Sequence, residues 1–566
     1  MQTKEQNGLQ TLIFSLGLLF SVLLVTPYST MDPINLPKMV VLVLFSFTWL
    51  GLIFGYFRLS EFRQNRLLGA LLAGFVLDAF LVLLFSGRVF SESIYGISGR
   101  NTGFITYISL AIFMYGAALN SSEKFLARFR VIFLSIGAIL LIYGFIQFVG
   151  LEPFPYVNIY ANNVFGTFGN PNFQSAFMGI FGAFALSSAF EIKKGGAYRA
   201  ALVVLFMASI FGIYSTNSWQ GFFNLAAGIS FACILLLFRS QKILLAKLLV
   251  GLSIFGTLIV SLGILNIGPL ASILSKASLE ARRLYWEAAI RLLGQHPFLG
   301  VGLDGYGDWY RRGRSIEAAQ NNSGLISDSA HSVPLDIASG GGFPLLLIYL
   351  ALIFLTVASI VKVVRHNTNL TIGFIAVTSA WVSYQAQSLI SINQIGLGVI
   401  GWTLGGLIIG YSNLPTDSES KINLKNPSKL KGSNSQSISI SSFFGPLVGL
   451  LVGALIALPP YISANKFYEG LKSSDARVIN SNAYLRPLEV RRMLVAANLL
   501  EKNRFFKESL EIARSATKSF PDSYQAWVLL GSLTNAGLAD KAKVNTELHR
   551  LDPNLKLYLF SHVAHR

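Results

Sequence analysis

The sequence predicts an all-α protein: a polytopic membrane helix bundle of about 12–13 spans, with a large extracytoplasmic loop and a small C-terminal helical-repeat domain. Apolar residues make up 53% of the 566 residues, charged residues make up only 13%, and the mean hydropathy is +0.55, which excludes an ordinary soluble domain. Apolar stretches long enough to cross a hydrocarbon core of ~30 Å recur along the chain. The predicted spans are 9–27, 36–56, 66–86, 102–120, 129–149, 173–190, 199–216, 220–238, 243–266, 341–362, 370–390, 394–411 and 443–463.

Lys and Arg residues are concentrated in alternate short loops between these spans. If the N-terminus is cytoplasmic, all these residues lie inside, whereas the outward loops 150–172, 216–220 and 390–394 contain no Lys or Arg. The positive-inside rule therefore predicts an inner (cytoplasmic) membrane protein with a cytoplasmic N-terminus and an outward-facing C-terminal part. The inside residues are Arg58, Arg63, Arg66, Lys124, Arg128, Arg130, Lys193, Lys194, Arg199, Arg239, Lys242, Lys362, Arg365, Lys421, Lys425, Lys429 and Lys431.

Composition divides the chain into four regions. Residues 1–411 form a membrane domain, interrupted by an extracytoplasmic loop at 267–340. Residues 412–440 are rich in Ser, Asn and Lys and are predicted to be a cytoplasmic linker. The last membrane span (441–463) leads into an extracytoplasmic helical tail at 464–566.

The tail shows weak self-similarity. Two helix pairs each end at a proline, Pro521 and then Pro553, 32 residues apart. This spacing resembles tetratricopeptide-type helical hairpins, which repeat about every 34 residues. An irregular helical tail that packs on the outer loop is the alternative.

Other classes of protein are disfavoured by charge and cysteine content. The single cysteine, Cys233, lies inside a predicted span, so neither a disulfide nor a cysteine metal site is expected. The net charge of +18 comes mostly from loop topology and the tail, and no basic soluble domain with interleaved aromatic residues suggests nucleic-acid binding. The first apolar stretch is too long for a removed signal peptide and is interpreted as a retained helix.

Clustered arginines distinguish the long outer loop. Arg282 is followed by Arg283, and Arg311 and Arg312 are followed by Arg314. Guanidinium groups match phosphate oxygens in a planar, bidentate way, so these clusters suggest an anion clamp. Anchoring to lipid headgroups is the alternative for any one pair. The outer loops offer no His-x-x-x-His or Asp-x-Asp metal motif, and no cofactor is implied.

His331 lies at the predicted membrane boundary, about ten residues before a span, with Asp328 three positions earlier. An imidazole with a pKa of about 6.5 can take a proton from an attacking hydroxyl. A loop histidine that caps a helix or binds a carbonyl oxygen is an equally open interpretation.

Several motifs in a fixed order resemble one family of membrane proteins. They are Arg-x-x-x-Trp at Arg282, then "HPFLGVGLDGYGDWY", and then His331 followed by Gly342, together with "SGRNTGFITY", "GTFGNPNFQSAF" and "QSLISINQIGLGVIGWTLGG". Across roughly residues 90–411 the chain resembles the O-antigen ligase/O-antigen polymerase family. The tail with tetratricopeptide-like units resembles an appended version found in some members.

The resemblance implies a GT-C-like architecture and a metal-independent glycosyltransferase. Such an enzyme takes a glycan from undecaprenyl pyrophosphate at the outer membrane face and joins it to an acceptor hydroxyl. The partners would be this lipid-linked donor, an acceptor glycan or a lipid or protein anchor, and membrane lipids. An envelope-assembly protein could bind the tail. The sequence does not decide between ligase and polymerase.

The resemblance also suggests roles for single residues. His331 would be the general base or the group that orients the acceptor, and Arg282 would bind the pyrophosphate and stabilise its departing charge. Secondary contacts with phosphate, sugar or other parts of the substrates would come from Arg100, Arg283, Arg311, Arg314, Asp304 and Tyr306. Asn170 and Asn172 flank a proline and would present amides to the glycan, unless they simply form a structural turn.

A membrane transporter of a small anion or solute is the alternative function. Polar residues inside predicted spans, namely Asp78, Gln147, Gln385 and Gln387, could line a transport pathway. However, a transporter usually has internal repeats with paired broken helices, which are not evident here. It also has no need for a loop with clustered arginines and a boundary histidine. Asp78 fits a structural hydrogen bond and a site residue equally well.

Overall fold

The computed structural model describes residues 4–56, 65–155, 159–160, 163–191, 193–264, 267–268, 277–366, 370–414 and 441–555. Within these ranges the regular structure is helical and contains no strand. The α-helices are α1 (Lys4–Leu23), α2 (Asn35–Tyr56), α3 (Arg66–Phe85), α4 (Phe90–Tyr95), α5 (Phe104–Asn120), α6 (Glu123–Phe148), α7 (Pro171–Ser188), α8 (Gly196–Tyr214), α9 (Gln220–Arg239), α10 (Ile243–Ile264), α11 (Ala277–Gln295), α12 (Tyr306–Gly313), α13 (Ile316–Asn321), α14 (Val333–His366), α15 (Ile372–Ile390), α16 (Ile395–Ser412), α17 (Ser441–Ser473), α18 (Ala476–Ala483), α19 (Val490–Lys502), α20 (Phe506–Ser519), α21 (Tyr524–Ser532) and α22 (Leu538–Leu551). Most of the predicted linker, residues 415–440, lies outside the described residues.

Nine helices in the described ranges are long and apolar enough to cross a membrane, and they coincide with nine of the predicted spans. The other four predicted spans are also helical, as α1, α5, α7 and α15, but they are shorter or more polar. This arrangement confirms the predicted all-α membrane helix bundle. The chain is a multi-pass membrane protein.

Two of the more polar helices lie inside the bundle. Helix α7 carries Gln174 and helix α15 carries Gln387, and each of these side chains is only 1% exposed. The two helices pack against each other and against α9. Helices shielded from lipid by other helices do not need an apolar surface, which explains why their hydropathy is lower.

Helix α16 is the centre of the bundle, and every one of its residues is buried. It is rich in glycine, and this allows α5 to approach closely. A Cβ atom on Gly406 would lie 2.0 Å from the carbonyl oxygen of Met114, and one on Gly410 would lie 2.2 Å from that of Ala118. Small residues at helix contacts are the usual means of tight packing between membrane helices.

Helix α14 is bent near its start. The predicted span begins at 341, but the helix already begins at Val333 and has a non-helical residue at Gly342, with φ 72° and ψ −172°. This positive φ favours glycine, and a Cβ atom there would lie 2.6 Å from the carbonyl oxygen of Pro297. The backbone N–H of Phe343 donates to that same oxygen at 2.7 Å. The bend thus fixes the outer loop to the start of the span.

The outer loop and the tail each have their own apolar core. The loop core is formed around Tyr285, Leu292 and Tyr310, and the tail core around Met493 and Trp527. Helix α12 of the loop contacts helix α22 of the tail. This contact places loop and tail at the same end of the bundle.

The tail consists of short helices that pack in pairs. Helix α19 packs on α20, and α21 packs on α22, which matches the two helix pairs expected from the sequence. Their assignment to the tetratricopeptide class stays a prediction.

Candidate active site

His331 is held in a strained loop immediately before helix α14. Its φ of 51° lies in the left-handed region, where a non-glycine residue persists only if its surroundings hold it. Its backbone N–H donates to Ser329 Oγ at 2.9 Å, and Ser329 Oγ donates to Asp336 Oδ2 at 3.0 Å. The N–H of Ala330 donates to the other carboxylate oxygen of Asp336 at 2.8 Å. Asp336, in the first turn of α14, therefore fixes the loop that presents His331.

The imidazole ring of His331 stacks on the ring of Tyr285, with centroids 5.2 Å apart and an interplanar angle of 24°. Tyr285 lies on α11, one helical turn after Arg282, so both side chains point to the same face of that helix. The hydroxyl of Tyr306 donates to the backbone oxygen of Tyr285 at 2.8 Å. Tyr306 was expected to touch substrate, but its buried side chain supports helix α11 instead.

The electrostatic surroundings keep the imidazole neutral. The pKa of His331 is lowered from 6.5 to about 4, first by burial and then by the positive charges of Arg282 and Arg100. Burial also lowers the pKa of Arg282. At neutral pH the His331 ring carries no proton on one nitrogen and can accept one there.

Arg100 has carboxylate partners on several sides. Its Nε lies 3.0 Å from Asp304 Oδ1, and its Nη1 donates to the backbone oxygen of Asp328 at 2.7 Å. Its Nη2 lies 3.7 Å from Asp336 Oδ2. The side chain of Arg100 is 7% exposed and that of Asp304 is 0% exposed. This pair was expected to contact substrate, but it forms a buried ion pair that supports the His331 loop.

Arg311 and Arg314 bind the tail. Arg314 Nη2 lies 2.5 Å from Asp552 Oδ2, and neither side chain has any exposed surface. Arg311 Nη1 lies 3.2 Å from the same oxygen, and its guanidinium lies 4.0 Å from the ring centre of Tyr524. Both arginines were expected to bind substrate, and the structure places both against one carboxylate of the tail.

The remaining predicted residues lie in two different places. Arg283 is exposed on the surface of α11. Asn170 caps helix α7 by accepting a hydrogen bond from the N–H of Asn172 at 2.9 Å. The side-chain oxygen of Asn172 accepts a hydrogen bond from Ser218 Oγ at 2.8 Å. These contacts correspond to the structural turn that the sequence left open as an alternative.

A cavity of about 570 Å³ opens beside His331. His331 and Tyr285 line it from the outer loop, and Gly96 and Asn101 line it from the segment that precedes α5. The tail contributes a further part of the wall. A space of this size accommodates a small ligand or a short stretch of a larger one.

Sequence reasoning missed a charged pair at the edge of this cavity. Glu92 lines the cavity, and its carboxylate accepts a hydrogen bond from Arg88 at 3.1 Å. Arg88 also lies 3.3 Å from Asp308 of the outer loop. Burial raises the pKa of Glu92, and the charge of Arg88 opposes this change. The spacing of four residues between Arg88 and Glu92, at the start of helix α4, was the only available signal, and surface pairs share it.

A further polar side chain lies away from the cavity. Asp78 of α3 has a buried Oδ2 atom that finds no hydrogen-bond partner among the described residues. Across the part of the chain that the structure describes, no group of three His, Cys, Asp or Glu side chains could hold a metal ion.

Residues 201–350 match the model of a protein family described as O-antigen ligase. This stretch of the chain is similar to O-antigen ligases and is called the O-antigen ligase segment. The match confirms the predicted family resemblance and indicates a glycosyltransferase-like membrane enzyme that acts in the context of lipid-linked glycans. No curated protein matches the chain significantly.

The O-antigen ligase segment contains one part of the site and leaves out another. Arg282, Tyr285, His331 and Asp336 all lie within residues 201–350. Arg100 and the whole tail lie outside them. The cavity is therefore built partly from the family segment and partly from other regions of this chain.

Proposed function

We propose that this protein transfers a glycan from undecaprenyl pyrophosphate to an acceptor hydroxyl at the outer face of the bacterial inner membrane, as a ligase or polymerase of cell-surface polysaccharide. One observation carries the proposal. The imidazole of His331 lines a cavity at the start of a membrane helix, and the positive charge of Arg282 helps to lower the pKa of this imidazole, which stays neutral. A base and an oxyanion-binding cation placed together are what glycosyl transfer from a pyrophosphate requires.

The proposed reaction forms one bond and breaks one. The acceptor hydroxyl oxygen bonds to the anomeric carbon of the donor sugar, while the bond from that carbon to the pyrophosphate oxygen breaks. His331 accepts the hydroxyl proton. The pair of electrons leaves with the undecaprenyl pyrophosphate, whose additional negative charge Arg282 stabilises. Guanidinium groups suit this task because they donate two parallel hydrogen bonds to phosphate oxygens.

Donor binding would also adjust the base. In the free protein the charge of Arg282 is one reason that the pKa of His331 is low. A bound pyrophosphate would offset that charge and raise the pKa of the imidazole towards its usual value. His331 would then become a stronger base at the moment when both substrates are present. In this proposal arginine charge stabilises the leaving group, and no metal takes part.

The proposed location depends on the positive-inside distribution of Lys and Arg. Loop and tail are in direct contact, through Arg314 and Asp552, so they share one side of the membrane. The cytoplasmic positions of the basic loops make this side the outer one. A cysteine introduced near residue 540 should then react with a membrane-impermeant thiol reagent, and one in the 412–440 linker should not.

Replacement of His331 with Ala tests the proposed base. In cells that lack the native gene, the wild-type chain should restore surface glycan on a gel and the His331→Ala chain should not. The expected loss of activity is about 10²–10⁴-fold, typical of a missing general base. His549→Ala is a matched control, because His549 is exposed on α22. An unchanged glycan profile in the His331→Ala strain, with normal membrane expression, would overturn the assignment.

A further inference from the structure

The tail supplies part of the wall of the cavity that His331 lines. Glu489 and Arg491 line it at the start of α19, and Tyr524 and Gln525 line it at the start of α21. These residues come from a domain with its own apolar core, which lies outside the O-antigen ligase segment. The cavity thus has one wall from the membrane domain and outer loop and another from the tail.

Specific contacts hold this wall in place. Ser91 Oγ of helix α4 donates to the backbone oxygen of Leu488 at 2.9 Å. The buried guanidinium of Arg492 donates to the backbone oxygens of Leu485 and Pro487, each at 2.6 Å. Together with the stacking of Arg311 on Tyr524, these contacts fix the starts of α19 and α21 against the membrane domain and the outer loop. A wall held in this way is suited to orient a ligand.

Arg491 differs from the other arginines that line the cavity. Arg311 lies 3.2 Å from Asp552, and Arg492 lies 3.9 Å from Glu489. Arg491 forms no ion pair with any of the described residues, and its side chain is exposed to the cavity. It reaches across to the "SGRNTG" turn, where its Nη1 lies 3.5 Å from the position that a Cβ atom on Gly99 would occupy.

The proposed transfer reaction determines what this side of the cavity must hold. The acceptor hydroxyl gives its proton to His331, so the acceptor must enter the cavity that His331 lines. Because the tail forms part of the wall of that cavity, an acceptor that fills the cavity lies against the tail. Arg491 is a guanidinium available there for an oxyanion.

We infer that the tail forms the acceptor-binding side of the cavity and that Arg491 binds an oxyanion of the acceptor glycan. The oxyanion is either the carboxylate of an acidic sugar or the phosphate of a lipid-linked acceptor. This inference rests on the proposed function, because it takes His331 as the group that receives the acceptor proton. It makes the tail a part of the substrate site, in addition to any role in assembly.

Calorimetric titration of the full-length protein in lipid nanodiscs tests the inference with three probes. The probes are oligogalacturonate, an uncharged maltodextrin of equal length, and geranylgeranyl pyrophosphate. Arg491→Ala should weaken binding of the anionic probe that resembles the acceptor, either oligogalacturonate or geranylgeranyl pyrophosphate, about tenfold. Arg491→Lys should weaken this binding less because it keeps the positive charge. Arg477→Ala is the control, since Arg477 is exposed on α18 of the same tail and does not line the cavity.

The probes identify the source of the oxyanion. Weaker oligogalacturonate binding in Arg491→Ala indicates an acidic sugar. Loss of a second bound equivalent of geranylgeranyl pyrophosphate, with the first retained, indicates a lipid-linked acceptor. The inference is wrong if the Arg491→Ala protein binds every probe with the same affinity as the Arg477→Ala protein. It is also wrong if the wild-type protein binds maltodextrin as tightly as oligogalacturonate and binds no second equivalent of geranylgeranyl pyrophosphate.

Complementation separates this inference from the proposed function. A wild-type chain that does not restore surface glycan in cells lacking the gene overturns glycan transfer, whatever the probes bind. If the wild-type chain restores surface glycan, the proposed function stands. If the Arg491→Ala chain then matches the Arg477→Ala control both in the amount of surface glycan and in probe binding, only the role of the tail is overturned.

Discussion

Two arginine-bearing parts of the outer loop look alike in sequence and differ in the structure. On α11, Arg282 has no ion-pair partner among the described residues, and its charge acts on His331. At α12 and just beyond it, Arg311, Arg312 and Arg314 each pair with a carboxylate of the tail. A guanidinium that faces a fixed carboxylate holds two domains together, whereas one without such a partner can bind a substrate anion.

The largest effect is expected from breaking the paired side. Asp552→Ala removes the carboxylate shared by Arg311 and Arg314 and leaves a fully buried guanidinium uncompensated. The cost should be about 3–5 kcal/mol of tail docking. Hydrogen exchange by mass spectrometry should then show faster exchange in α21 and α22, with the membrane helices unchanged.

Arg312→Gln is the control for this experiment. Arg312 also pairs with the tail, but its partner Asp522 is 36% exposed, so loss of the pair should cost no more than about 1 kcal/mol. If hydrogen exchange in α21 and α22 is equally fast in the Asp552→Ala and Arg312→Gln proteins, the buried ion pair of Arg314 and Asp552 does not stabilise the docked tail.

A change on the unpaired side should affect chemistry and leave docking intact. Arg282→Ala should lower glycan transfer about 10²–10³-fold, the usual effect of removing one donor to a developing oxyanion. Arg282→Lys should be nearly as damaging, because an ammonium cannot make the bidentate phosphate contact. Transfer by purified protein in proteoliposomes measures both, with Arg291→Lys, an exposed position on the same helix, as the control. Full activity of the Arg282→Lys protein would contradict a phosphate clamp.

The smallest expected effect is a shift in the titration of His331. Because the folded protein lowers the pKa of His331 to about 4, the ring should stay neutral and reactive down to that pH. Arg282→Gln removes a nearby positive charge, so the pKa should rise and the ring should become protonated at a higher pH than in wild type. The rate of His331 modification by diethyl pyrocarbonate, followed by mass spectrometry across pH, reports this change without relying on activity. If the rate of modification depends on pH in the same way in the Arg282→Gln and Arg291→Gln proteins, the charge of Arg282 does not affect the pKa of His331.

The candidate site was only partly predictable. His331 and Arg282 were singled out from their residue types, their place in the loop and the family resemblance, and their roles stay predictions. Asp336 was missed because one acid at the start of an apolar helix resembles an ordinary helix terminus. Tyr285 was missed because a tyrosine on an amphipathic helix is usually part of a core. Arg100 and Asp304 were chosen as separate substrate contacts, but the structure joins them in one ion pair.

The sequence by itself determined the helical membrane class, because the length and apolarity of a span are local properties that a bilayer requires of each segment separately. The segment near His331 and the helical nature of the tail were also visible locally. Only the tertiary structure decided which arginines have partners. Arg314 meets Asp552 across 238 residues of chain, and no local pattern encodes that contact. Charge pairing depends on distance in space, and folding alone sets that distance.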